Sequence, residues 1–170
     1  MPVPGLWELN GYGDPQYLNI GYPWREQFEN NPPEVPTAEN HVGSYRREIE
    51  IPASWSDKQV IAHFGSVTSN IYLWVNGRFV GYGEDSKLEQ EFDLTPYLKP
   101  GKENLIAFQV FRWNDGSYLE DQDFFRFFGI FRSVRLYAKP EVHTEDLWAK
   151  PVLFEDNHSG ALSLSCLLYT

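Results

Sequence analysis

Asn70-Ile71-Tyr72-Leu73-Trp74-Val75-Asn76-Gly77-Arg78-Phe79-Val80-Gly81-Tyr82 decides the fold class. Two runs rich in β-branched and aromatic residues are joined by Asn-Gly, a dipeptide that tolerates the positive φ angles of a two-residue type I′ turn. Toward the N-terminus, Tyr45, Arg47, Ile49 and Ile51 alternate with Arg46, Glu48 and Glu50, the period of a half-buried strand, and Lys58–Phe64 forms a second strand. Toward the C-terminus, Leu88, Gln90, Phe92 and Leu94 alternate with Glu89, Glu91 and Asp93. A break at Pro100-Gly101 precedes a predicted strand over 104–113, and another is predicted over 130–137, ended by Lys139-Pro140. No window of useful length carries apolar residues at helical spacing. Short strands recurring every 8 to 12 residues or so predict an all-β, antiparallel β-sandwich.

The 170 residues suffice for one core and the beginning of a second domain, but not for a large barrel enzyme. Six Trp, ten Tyr and twelve Phe favour β structure and surfaces that face carbohydrate. The formal net charge of -10 argues against nucleic acid, whose phosphates need clustered Lys and Arg, and leaves a neutral small molecule as the better ligand class. The single Cys166 excludes an intrachain disulfide. No run approaches the roughly 18 apolar residues of a membrane helix, and Met1-Pro2-Val3-Pro4 lacks the regions of a signal peptide. The chain is expected to be soluble, with both a cytoplasmic and a periplasmic location open.

Seven of the twelve prolines fall in the first 42 residues, so 1–42 is expected to be an extended arm on the surface of a domain reaching to residue 140. Residues 141–170 hold two further strands around Asp156-Asn157-His158-Ser159-Gly160, and a lone hairpin needs something to pack against. The abrupt start and strand-like finish suggest a fragment of a longer protein.

The chemistry concentrates in 115–132, where Asp115, Glu120, Asp121, Gln122 and Asp123 share a loop with Arg126, Arg132 and a row of phenylalanines. Carboxylates and amides bind sugar hydroxyls, and a pyranose C–H face rests on aromatic rings. Arg112, Arg126, Arg132 and Arg135 are expected to take most of these carboxylates in ion pairs that shape the loop. At least one carboxylate should be spare, and Asp123, beside Phe124 and Phe125, is the choice. Those two rings with Phe127 and Phe128 cannot all enter one thin core, so some should form an exposed apolar patch beside Asp123. Other chemistries fit poorly. Glu89, Glu91 and Asp93 lie on the polar side of their strand, where no desolvated cleft can raise a pKa. His41, His63, His143 and His158 lack metal-site spacing. There is no Gly-x-Ser-x-Gly elbow, and Gly81-Tyr82-Gly83 is a hairpin end rather than a phosphate loop.

The segments Leu73-Trp74-Val75-Asn76-Gly77-Arg78-Phe79-Val80-Gly81-Tyr82-Gly83-Glu84-Asp85-Ser86, Glu91-Phe92-Asp93-Leu94 and 115–132 resemble, nearly residue for residue, the N-terminal sugar-binding jelly-roll domain of a β-galactosidase of glycoside hydrolase family 2. The likeness extends over residues 3–140, including Gly11-Tyr12, Tyr22-Pro23 and Pro36-Thr37-Ala38-Glu39-Asn40. Related β-glucuronidases and β-mannosidases share the hairpin and the Gly-Ile-x-Arg ending, whereas Ser117-Tyr118-Leu119-Glu120-Asp121-Gln122-Asp123 resembles the β-galactosidase branch. The resemblance implies that Asn40 and Asp123 bind galactosyl hydroxyls in the active site of a neighbouring barrel domain, and that Asp123 also ligates sodium. It further implies that the catalytic glutamates and a magnesium site belong to the barrel, that 141–170 begins an immunoglobulin-like domain, and that the parent is a homo-oligomer. The fragment alone is then expected to be inactive. A free-standing carbohydrate-binding module, the same domain of a β-glucuronidase or β-mannosidase, and a purely structural domain are the rival readings.

Overall fold

In the computed structural model, which describes residues 1–169, Asn76 and Gly77 have φ of 51° and 78°. Positive φ at both central positions is what a type I′ turn requires. The Asn76 carboxamide donates to Tyr97 O and Asn104 Oδ1 at 2.9 and 2.8 Å and accepts from Leu105 N at 3.1 Å, tying the turn to Tyr97 and to the strand over Glu103–Phe111. The strands are β1 (Gly5–Leu6), β2 (Gln16–Leu18), β3 (Val42–Glu50), β4 (Lys58–Phe64), β5 (Val67–Thr68), β6 (Asn70–Val75) and β7 (Arg78–Glu84). They continue as β8 (Gln90–Asp93), β9 (Glu103–Phe111), β10 (Phe124–Arg126), β11 (Gly129–Ile130), β12 (Val134–Pro140), β13 (His143–Leu153) and β14 (Gly160–Tyr169).

Every pairing is antiparallel. One sheet runs β3-β9-β6-β7 and the other β12-β4-β8. The expected all-β sandwich is therefore what the chain forms. Ile71, Leu73, Val75 and Val110 face inward from the first sheet, while Ala62 and Phe64 enter the same core from the second. Phe64 joins the layers edge-on, 5.3 Å from Phe108 of β9 and 6.0 Å from Phe92 of β8.

Three sequence expectations need correction. The arm does not merely lie on the surface: Trp24 is fully buried at 0% exposure, and Trp7 joins the same core. The strand expected to include Leu88 starts at Gln90, leaving Leu88 exposed, because Asp85 Oδ1 accepts from the amides of Lys87 and Leu88 and turns the chain there. The strand expected over 130–137 is divided into β11 and β12. Arg132 donates to Gly65 O and Lys87 O at 3.1 and 2.7 Å, and the Phe131 amide to Ser66 O, so the chain changes sheets at 131–133.

Strands β13 and β14 form the expected hairpin around 154–159, with almost every residue exposed. Leu147, Trp148, Val152, Leu162, Leu164 and Leu167 all face solvent.

Candidate functional site

Strand β9 runs into the 114–132 loop, whose first turn is fixed locally. Asn114 and Ser117 form a reciprocal capping box over the 3₁₀ turn Asp115–Tyr118. Asn114 Nδ2 then donates to Glu84 Oε2 at 2.9 Å, the oxygen that also accepts from Tyr82 OH at 2.6 Å. Burial first and this bond second push the Tyr82 phenol up to about 12. Further along, Glu120 grips Ser86, accepting from its amide at 2.9 Å and its hydroxyl at 2.5 Å. Ser86 O in turn accepts from Ser66 and Thr68. An aromatic cluster supports the turn from beneath: Trp24 meets Trp113 and Tyr118 edge-on at 5.6 and 5.1 Å and stacks on Tyr22. Tyr118 OH donates to Glu34 O at 2.6 Å, binding the arm to the loop.

The arginines do less ion pairing than expected. Arg126 lies 3.6 Å from Asp121, donates to Glu120 O and Gln122 O, and covers the Phe124 ring at 4.3 Å. Arg112 sits over the Trp113 and Phe128 rings at 4.9 and 5.1 Å, with no carboxylate in ion-pair range among the described residues. Desolvation lowers the pKa of both. Arg132 serves backbone carbonyls. Carbonyls and rings, not carboxylates, are the main partners of these cations.

That pattern leaves Asp123 spare. Its carboxylate is exposed and forms no ion pair among the described residues; Oδ1 accepts from Tyr17 OH at 2.7 Å. Tyr17 reaches it because β2 pairs with β10 in the register Phe124↔Leu18, Phe125↔Tyr17, Arg126↔Gln16. The bond to Asp123, and then its charge, raise the Tyr17 pKa. Of the four phenylalanines, Phe125 is 57% exposed, Phe124 and Phe127 are half-buried, and Phe128 is 3% exposed. The patch beside Asp123 is thus narrower than expected, made of Phe125 and Tyr17 with rings 5.2 Å apart.

Asn40 is committed to the backbone of Trp113, the residue that leads into the loop. Its Nδ2 donates to Trp113 O at 3.1 Å and its Oδ1 accepts from Trp113 N at 2.9 Å. With Val42 paired to Phe111 and the Arg112 amide bonded to His41 O, the Asn40 side chain extends the β3–β9 ladder by one step. One N–H and one lone pair remain for a ligand. Asn40 and Asp123 share no hydrogen-bond partner.

Glu89, Glu91 and Asp93 are exposed, as expected. Burial pushes Glu91 and Asp93 up, but hydrogen bonds from Tyr137 and His63 to the first, and from Thr95 and Gln59 to the second, leave both below their ordinary values. A general acid needs the opposite shift. Among the described residues no three His, Cys, Asp or Glu gather into a metal-binding group, and no helix is long and apolar enough to cross a membrane. Sequence reasoning missed Tyr17, because a three-residue strand shows no period and its partner strand is over a hundred residues away.

Fold and loop together define an antiparallel β-sandwich with an acidic, aromatic edge. Residues 1–140 match the family model described as glycosyl hydrolases family 2, sugar binding domain, and the chain belongs to that family. It is 49% identical over 163 residues to a protein named beta-galactosidase from Priestia megaterium, covering 96% of this chain and 16% of that protein. A beta-galactosidase of Yersinia pestis is 52% identical over 149 residues, covering 86% of this chain and 14% of its own length. The chain therefore spans about a sixth of these relatives. Among solved structures, a beta-glucuronidase of an uncultured Clostridium superposes with a TM-score of 0.66 at 23% identity, over 78% of this chain and 25% of that one. That likeness shows a shared fold.

Proposed function

We propose that the chain is the non-catalytic sugar-binding sandwich of a longer retaining β-galactosidase, and that Asp123 binds galactosyl hydroxyls at the edge of an active site completed by other domains. The observation that carries this reading is the exposed Asp123 carboxylate, left without a cation in a loop next to Arg126 and flanked by the exposed Phe125 and Tyr17 rings. One oxygen is taken by Tyr17, and the other is open to a sugar hydroxyl. Identity of 49–52% to β-galactosidases, against 23% to the β-glucuronidase, favours a galactoside over a glucuronide. Asn40, with one N–H and one lone pair used on Trp113, has one of each left for a hydroxyl.

The exposed Asp123 carboxylate also fits as one oxygen ligand of a sodium ion, whose other ligands the remaining domains would supply. Bound there, sodium would supply a positive charge that orients hydroxyls. In this reading the nucleophile, the acid/base glutamate and the magnesium site belong to a barrel domain, and the fragment alone has no turnover. Strands β13 and β14 begin an immunoglobulin-like domain whose remainder covers their exposed leucines, and the whole assembles as a homo-oligomer.

The test is Asp123→Asn in the full-length protein. The kcat/KM for a nitrophenyl galactoside should fall on the order of 10²-fold, since a charged hydroxyl contact and a cation ligand are lost together. Kinetics near those of the unaltered protein would return Asp123 to a surface residue of the loop.

A further inference from the structure

We propose that Tyr17, carried on the N-terminal arm, is a positioning residue for Asp123, fixing which carboxylate oxygen meets the ligand. The inference rests on the reading that Asp123 contacts sugar. Tyr17 OH donates to Asp123 Oδ1 at 2.7 Å, a good distance for an O–H to a charged acceptor. An isolated surface aspartate rotates about two side-chain bonds, and either oxygen can face a ligand. With Oδ1 held, Oδ2 is the oxygen presented, and the rotational freedom that binding would otherwise remove is already lost.

Core packing does not account for the contact. Tyr17 is 55% exposed and Phe125 57%, so neither ring adds much to the hydrophobic core, and water would satisfy both polar groups if the pair were apart. What places the hydroxyl is the strand register. Tyr17 stands directly opposite Phe125, two residues beyond Asp123, with the two rings 5.2 Å apart at 54°. Phe125 continues the wall to Phe127 at 5.9 Å. Polar atom and aromatic surface thus come from two segments more than a hundred residues apart, and they meet only when the arm is seated.

Tyr17→Phe keeps the ring and removes only the hydroxyl, and it should be measured in the full-length protein beside Asp123→Asn and the double variant. The expected result is a loss of about tenfold in kcat/KM for a nitrophenyl galactoside, the worth of one hydrogen bond to a charged group. The sodium concentration giving half-maximal activity should rise, and the melting temperature should stay within a degree or so because the hydroxyl is exposed. In the Asp123→Asn background, Tyr17→Phe should add no further loss, since a positioning residue has nothing left to position. A silent Asp123→Asn would sink the functional reading itself. A damaging Asp123→Asn beside a silent Tyr17→Phe, losses that simply multiply in the double variant, or a fall in activity matched by a fall in melting temperature would each overturn the role of Tyr17 while leaving Asp123 in place.

Discussion

The 114–132 loop and the β13–β14 hairpin invert the usual relation between regularity and anchorage. The hairpin has a ten-pair ladder, broken by one bulge, yet its side chains face water along both strands. The loop has little regular backbone, yet Asn114, Ser117, Tyr118, Arg126 and Phe128 are buried, and side chains from the arm, β7 and the β7–β8 turn hold it. Backbone hydrogen bonds exchange water for a similar partner and contribute little net, whereas burial and satisfied side-chain networks fix a conformation. The loop can therefore hold a ligand group still, while the hairpin offers a sticky surface in need of a cover.

The largest expected contrast is between two tryptophans. Trp24→Ala empties the space beneath the loop and should cost about 3–5 kcal/mol in denaturant unfolding. Trp148, on the hairpin, is 60% exposed, and Trp148→Ala should change stability by less than about 0.5 kcal/mol. Equal losses at the two sites would mean that the hairpin is anchored as firmly as the loop.

A smaller effect concerns pH. Tyr82, which braces the loop through Glu84, is pushed up to about 12 from an ordinary 10.0, and Tyr137 on β12 likewise, by burial first and a glutamate second. In the folded chain each phenol holds its proton more tightly than in the unfolded chain. The stability they contribute is therefore fully present below pH 10 and drains away as pH rises through about 12. Tyrosinate absorbance should show these two groups titrating late; if every tyrosine of the folded chain ionised together near 10, the loop brace through Glu84 would be in doubt.

What the sequence disclosed follows the range of the interactions involved. The Asn76-Gly77 turn was legible because positive φ is a local demand, and β4 was read to its observed ends. Asp123 could be singled out as the spare carboxylate, but its freedom arises because Arg112 and Arg126 turn to rings and carbonyls, which composition does not show. Burial of Trp24, the Tyr17–Asp123 contact and the use of Asn40 as a ladder extension each depend on segments 70 or more residues away, and no local pattern encodes them. The proline-rich arm looked peripheral for the same reason. It proves to supply two core tryptophans, Trp7 and Trp24, and one side of the candidate site.

The proposed role of this loop is the wall of a sugar site. A crystal structure of the full-length protein with galactose bound tests it most directly. Asp123 Oδ2 should lie within about 2.5–2.8 Å of a galactosyl hydroxyl, with Oδ1 still on Tyr17. A sugar bound away from this loop, with Asp123 facing only water or turned onto Arg126, would contradict it.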